Sequence, residues 1–282
     1  MRKITAIAGA TLLAATALAG CSLDSSNSSA KADCTPAHPD LSTVTKGVLS
    51  VSAATLPPFT QVDGTKLAGA EGKILEKIAA MECLTLAAQP LDTASVISAA
   101  QNGRVDVAAG NWYCTAERAN AMSLAGPAYG DQIGILSSTG AKTFSELEGK
   151  TVGTVDGYHW NAEFKAIYGA GLKIYPNATA MISDLKAARI DVAVDSYGSA
   201  KYSNAQHGDK WTVEVPEPDD RVASSVNPAQ VCFPVPKGNA ALAKAIKEDL
   251  ETLRSDGSLA NILGENGLDR SAADVQELKL IS

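Results

Sequence analysis

Between Gly47 and Arg254 short runs of β-formers alternate with stretches of helical apolar spacing, and this rhythm restarts once in mid-chain. Such elements bury their faces when strands form a sheet and helices cover it, so the fold class is α/β. The first strand is read at residues 48–53, and the Leu56-Pro57-Pro58-Phe59 loop ends it because two prolines exclude a helix. Ile74, Leu75, Ile78 and Met81 share one helical face, followed by a strand at 84–88, a helix at 93–101 and a strand at 104–110. A second unit begins after Tyr129, with strands at 150–155 and 189–195, a helix that follows the Asp156-Gly157 turn and runs through Phe164, and a helix at 178–188. The pattern then returns to a strand at 231–235, which Pro234 confines to an edge or end, and to a helix at 239–254 with Leu242, Ala245, Ile246, Leu250 and Leu253 on one face. One lobe interrupted by another, with two chain crossings, leaves a cleft where a small ligand binds.

With 45% hydrophobic residues, the 282-residue chain can fill two such cores. Its net charge of -7 and pI near 5.0 leave no electrostatic footprint for nucleic acid. His38, His159 and His207 are scattered and no cysteine pair has CxxC spacing, so neither a metal nor a cofactor is expected.

The N-terminus carries Met1-Arg2-Lys3 before an uncharged, Ala-rich run from Ile4 to Gly20, the pattern of an export signal. The run ends in Leu18-Ala19-Gly20-Cys21, which resembles the bacterial lipobox. That resemblance implies cleavage after Gly20, diacylation of Cys21 with palmitate-type chains, and anchoring on the extracytoplasmic face of the bacterial cell membrane. A Ser-rich stretch from Ser22 to Asp33 reads as a tether. Cys34, Cys83, Cys114 and Cys232 remain, an even number in an exported chain, and admit three disulfide pairings.

The order of Leu56-Pro57-Pro58-Phe59, Gly103-Arg104-Val105-Asp106-Val107, Thr115-Ala116-Glu117-Arg118, Gly149-Lys150-Thr151-Val152-Gly153, Tyr175-Pro176-Asn177 and Arg189-Ile190-Asp191 resembles the family 3 extracellular solute-binding proteins, the amino-acid receptors of ABC importers. The resemblance spans Lys46 to Gly267. It implies a two-lobed periplasmic-binding-protein-like fold: residues 1–20 a lipoprotein signal peptide, 21–45 lipidated cysteine and tether, 46–130 and 226–282 lobe 1, and 131–225 lobe 2. It also implies a monomer that carries a small zwitterionic ligand, an amino acid or close derivative, to an ABC permease and performs no catalysis.

Residue by residue, the resemblance places Arg118 on the ligand carboxylate, through a planar guanidinium that offers two parallel hydrogen bonds. Thr115 caps the following helix, whose amides add to the anion site, and Asp195 at a strand end takes the ligand amino group. Asp191 and Asp195 lie one residue closer than in the family pattern, so a bulge or shifted strand end is expected. Where the family has small hydroxyl residues, this chain has Asn111, Trp112 and Tyr113, and after Gly157 it has Tyr158, His159 and Trp160. In a chain with 5% aromatic residues, these imply an aromatic lining for a cationic or planar group, with core packing an equal reading for Trp112 and Trp160. Leu56 and Leu91 stand where the family places stacking aromatics. Cys34 just before the first strand and Cys83 just after the first helix of the same lobe are expected to pair, which leaves Cys114 with Cys232, both in lobe 1 segments next to the cleft.

Two other classes use this fold. A dehydratase-like enzyme would need a general acid, for which His159 is the cleft-loop candidate, yet GxSxG, HExxH and P-loop motifs are absent. A sensor for a membrane partner would need a signalling segment, and none is read up to Ser282.

Overall fold

In the computed structural model, which describes residues 34–227 and 229–281, strand Val48–Ala53 forms the centre of a parallel three-stranded sheet. Thr85–Pro90 pairs on one side of it and Val107–Ala109 on the other. The signal segment, Cys21 and the tether lie outside the described residues. Helix Gly69–Met81 buries Ile74, Leu75 and Ile78, the stripe its spacing predicts, while Met81 is half-buried. Helix Thr93–Gln101 is capped by Asp92, whose carboxylate accepts from Ser95 N at 3.0 Å. The third strand is shorter than the predicted 104–110. Asp106 instead uses its carboxylate to accept from Val44 N at 2.7 Å and Ser50 N at 2.8 Å.

A second sheet runs in the order Leu172–Tyr175, Val152–Val155, Val192–Ser196, Ile133–Ser137, Thr212–Glu214. Its first three strands are parallel, and the pairings on both sides of Ile133–Ser137 are antiparallel. Two short antiparallel ladders stand apart from both sheets: Met122–Ala125 with Phe233–Pro236, and Gly130–Asp131 with Ala229–Gln230. They set the outgoing and returning chain side by side, as expected of a two-lobed α/β protein. Pro234 sits in a two-stranded ladder, where every strand is an edge and the missing N–H is tolerated. Helices Ala240–Ser255 and Ser258–Glu265 then fold back on Gly69–Met81.

Two disulfides fasten the first lobe. Cys34 is joined to Cys83 and Cys114 to Cys232, with Cα atoms 5.7 and 5.3 Å apart. With partners 49 and 118 positions apart in sequence, closure of such loops restricts the unfolded chain by about 4–5 kcal/mol each. The second bridge lies in a dense seam. Cys114 N donates to Gln230 O at 2.8 Å, Cys232 N to Trp112 O at 2.9 Å, and the tail pairs in through Ala116 N to Ile281 O at 2.8 Å.

Helix Gly69–Met81 carries one carboxylate on its buried face, Glu71, which has no exposed surface. It accepts from Gly110 N at 2.6 Å, Asn111 N at 2.7 Å and the Tyr129 hydroxyl at 2.6 Å, so it joins the helix, the loop after Val107–Ala109 and the start of the crossing. Glu71→Ala orphans three buried donors, a loss of about 3 kcal/mol or more. Thermal denaturation is expected to show a melting temperature lower by about 6–12 °C, and an unchanged value would refute the peg role.

Candidate ligand-binding site

The loop from Gly110 to Thr115 is shaped before any ligand is considered. Asn111 adopts a left-handed backbone (φ 59°), which asparagine tolerates better than most residues, and the Glu71 carboxylate holds its amide. The Asn111 side chain is held at both ends: Nδ2 donates to Asp131 Oδ2 at 2.6 Å, and Oδ1 lies 3.1 Å from the Tyr129 hydroxyl, whose hydrogen is shared with Glu71. Tyr113 donates to the same Asp131 oxygen at 3.0 Å. Asn111 therefore braces the loop against the crossing, and the polar end of Tyr113 is spent on the same carboxylate.

Thr115 caps helix Ala116–Ala121, its hydroxyl accepting from Arg118 N at 3.1 Å. That bond and the Ala116 N bond to Ile281 O consume amides that sequence reasoning assigned to an anion. Arg118 turns back over its own loop. Its Nη1 donates to Tyr113 O at 2.7 Å, and the guanidinium carbon lies 5.1 Å from the centre of the Trp112 ring. Among the described residues it has no ion-pair partner. Burial lowers its pKa to about 10, which leaves it cationic at neutral pH. Trp112 serves both readings: it packs with Val96, Ala99 and Met122 in a lobe core, and its outer face carries Arg118.

The opposite wall comes from the second lobe. Gly157 is left-handed (φ 82°) and lies against Thr93 and Ala94 of the first lobe. His159 and Trp160 put their rings 5.1 and 5.9 Å from that of Tyr113, and Tyr158 stands 4.9 Å from Trp160. Trp160 Nε1 donates to Thr154 Oγ1 at 3.0 Å, so this residue backs the cluster from the lobe core. Asp195 lies within strand Val192–Ser196, opposite Gly134, and the register is continuous from Val192 to Ser196. No bulge is present, and the strand ends one residue beyond Asp195, at Ser196. Its Oδ1 accepts from the Tyr158 hydroxyl and from Ser196 N, both at 2.7 Å. Its Oδ2 is buried without a partner.

A cavity of about 20 Å³ lies between the walls, lined by Trp112, Tyr113, Arg118, Tyr158, His159 and Ser196, with Asp195 behind Tyr158; it has room for about one water. Leu56 lines it, whereas Leu91 packs instead with the Trp112 core. Three buried polar atoms of this cluster lack partners: Asp195 Oδ2, Trp112 Nε1 and His159 Nε2. Unpaired buried groups are rare in folded proteins and mark places where another molecule completes the bonding. A larger groove of about 500 Å³ opens between Phe59, Asp131, Lys201 and Asp269, but it contains neither Arg118 nor the unpaired atoms.

Electrostatically the site is acidic at its rear. Burial raises the carboxyl pKa of both Asp131 and Asp195 to about 6, and also raises that of Glu71. His159, buried and near Arg118, is depressed to about 3 and is neutral. Among the described residues no group of three metal-type donors lies in the cleft. Asp131 and Glu71 escaped sequence reasoning as site residues. Glu71 had a signal, since it falls on the apolar stripe of Ile74, Leu75 and Ile78, where an unpaired charge would not be stable. Asp131, in a two-residue strand, had none.

The model of the bacterial extracellular solute-binding proteins, family 3, matches residues 49–266. A probable amino-acid-binding protein, YxeM of Bacillus subtilis (strain 168), is 27% identical over 271 residues, covering 93% of this chain and 94% of that one. Among solved structures, an ancestral arginine-binding protein bound to glutamine superposes with a TM-score of 0.68 at 25% identity, covering 79% of this chain and 98% of that one. The arginine-, lysine-, histidine-binding protein ArtJ of Geobacillus stearothermophilus shares the fold, with a TM-score of 0.70 at 18% identity over 81% of this chain and all of its own. A family match from the first strand to the last long helix, on a two-lobed α/β fold, makes this chain a member of the family 3 bacterial extracellular solute-binding proteins.

Proposed function

We propose that the protein is the lipid-anchored receptor of an amino-acid ABC importer, that it closes its lobes on a zwitterion, and that Cys21 carries the anchor. One observation carries the ligand reading: the half-buried guanidinium of Arg118, without a carboxylate partner, lines the cavity from one wall, and on the other wall Tyr158, which also lines it, bonds Asp195, whose Oδ2 is buried without a donor. An amino acid supplies both missing charges in one molecule. The matched proteins whose names state amino-acid ligands support this reading. His159, with a pKa of about 3, is a poor general acid and gives a dehydratase role no support.

A cavity of about 20 Å³ cannot hold an amino acid, so the ligand enters when the lobes part and is enclosed when they close. Tyr113 on one side and Tyr158, His159 and Trp160 on the other separate to admit it. Arg118 and Asp195 belong to different lobes, so one ligand satisfies both only in the closed form and its binding shifts the open–closed balance. The permease then recognises the closed shape.

Three carboxylates, Glu71, Asp131 and Asp195, stand around or behind the cavity against one guanidinium. This balance, with the Tyr113 face, favours a ligand carrying more positive charge than a neutral amino acid, or a diffuse cation such as an N-methylated ammonium. In a thermal-shift screen, basic or N-methylated amino acids are expected to outperform glutamate and aspartate, and a preference for the acidic pair would overturn the ligand class.

Replacing Arg118 by alanine is expected to weaken binding of the best such ligand about 30-fold or more, a loss of about 2–4 kcal/mol, with circular dichroism unchanged. Calorimetry finding wild-type affinity in the folded variant would remove Arg118 from the site.

The raised carboxyls also set a pH dependence. Asp195 holds its proton more tightly folded (pKa about 6) than unfolded (3.8), so the free protein loses stability as pH rises from 3.8 to about 6. A ligand ammonium needs the ionised carboxylate and runs the other way. Affinity is expected to fall about tenfold between pH 7.5 and 5, with Asp195→Asn losing most of that dependence in calorimetry at both pH values. An affinity independent of pH would show that Asp195 does not face the ligand cation.

A further inference from the structure

We propose that His38, Glu82 and Asp249 form a binding site for a divalent transition-metal ion of the zinc class, which clasps the segment after Cys34 onto the first lobe. His38 Nδ1 lies 2.5 Å from Glu82 Oε1 and 4.0 Å from Asp249 Oδ1, and one donor atom from each residue falls within 4.8 Å of the others. The Glu82 and Asp249 side chains are each 1% exposed. Neither oxygen of Asp249 has a hydrogen-bond partner, so a fully buried carboxylate faces this cluster with its bonding capacity unused.

The geometry around the imidazole identifies what is missing. His38 Nε2 lies 2.8 Å from Glu248 Oε2 and Nδ1 lies 2.5 Å from Glu82 Oε1, so both ring nitrogens meet carboxylates and Nδ1 is turned toward Glu82 and Asp249. One ring nitrogen and two carboxylates then face one another. A proton on Nδ1 satisfies Glu82 but leaves Asp249 unpaired, so three carboxylates surround at most one imidazolium. A dication bound by Nδ1 and both carboxylates satisfies all three groups at once. Glu248 then acts as the outer carboxylate that orients a metal-bound histidine.

Ligand type selects the ion. An imidazole nitrogen with two carboxylates suits zinc and its neighbours better than calcium or magnesium, which favour all-oxygen shells. Tetrahedral ligands at 2.0–2.1 Å from zinc stand about 3.3 Å apart, between the two separations found here. His38 is 27% exposed, which leaves one side open for water as a fourth ligand. Glu82 caps the end of helix Gly69–Met81, Asp249 lies in Ala240–Ser255, and the Cys34–Cys83 bridge adjoins, so the ion would tie both helices to the incoming chain.

The test is zinc titration, by calorimetry and thermal melting, of the full chain without a histidine tag after dialysis against EDTA. One zinc per chain is expected, with a melting temperature raised by about 5–10 °C at zinc 100-fold above its Kd. His38→Gln and Asp249→Asn should each weaken zinc binding at least 30-fold, and Glu248→Gln about 10–100-fold. Their melting temperatures in EDTA control for folding, and calcium and magnesium should give no comparable shift. Absence of stoichiometric zinc uptake, or uptake unchanged in folded His38→Gln and Asp249→Asn, would overturn the site. So would an Asp249→Asn variant that is more stable than wild type in EDTA while wild type ignores zinc, because the buried carboxylate then needs only a proton.

Discussion

The buried Glu71 carboxylate is the constraint from which the rest of the cleft follows. One side chain on the inner face of a helix fixes two consecutive amides of the Gly110–Asn111 turn and the hydroxyl of Tyr129, where the chain leaves the first lobe. Asn111, once held, bonds Tyr129 and Asp131, and Asp131 in turn fixes Tyr113. The network is charged and almost dry, so each bond is electrostatically stronger than in water and each missing one more costly. The loop that carries Arg118 is therefore rigid on its inner side, while the cavity side keeps its unmet polar atoms.

Arg118 and Asp195 are treated differently by the fold. Arg118 is stabilised by a carbonyl and an indole face, neither of which neutralises it. Asp195 receives two hydrogen bonds on one oxygen and none on the other. Each is held in place yet left short of a partner, the arrangement on which the proposed binding of a zwitterion rests. The aromatic residues between them fill the cavity and displace water, which raises the cost of leaving either charge unpaired.

Attachment of the first lobe to what precedes it is concentrated in a few residues. Cys34 is bonded to Cys83, Ala37 N donates to Met81 O at 3.0 Å, and His38 is gripped by Glu82 and Glu248. All lie at the carboxyl end of helix Gly69–Met81 and beside Ala240–Ser255, so force applied through the N-terminal segment reaches the body through those helices.

Much of this architecture is legible in the sequence, for a stated reason. The apolar stripes at Ile74, Leu75 and Ile78 and at Leu242, Ile246, Leu250 and Leu253 are local, and periodicity alone demands a buried face. Pro234 announces an edge because a missing N–H cannot serve a central strand. Arg118 is visible through its motif order, and Glu71 could have been found as a charge on an apolar stripe. What tertiary structure alone decided are the meetings of residues far apart in the chain: Asn111 and Tyr113 with Asp131, Tyr158 with Asp195, and His38 with Glu82 and Asp249. No periodicity relates positions 38, 82 and 249. Only packing the long helix against the end of the first brings their donors together, and that packing is set by the whole core rather than by any segment.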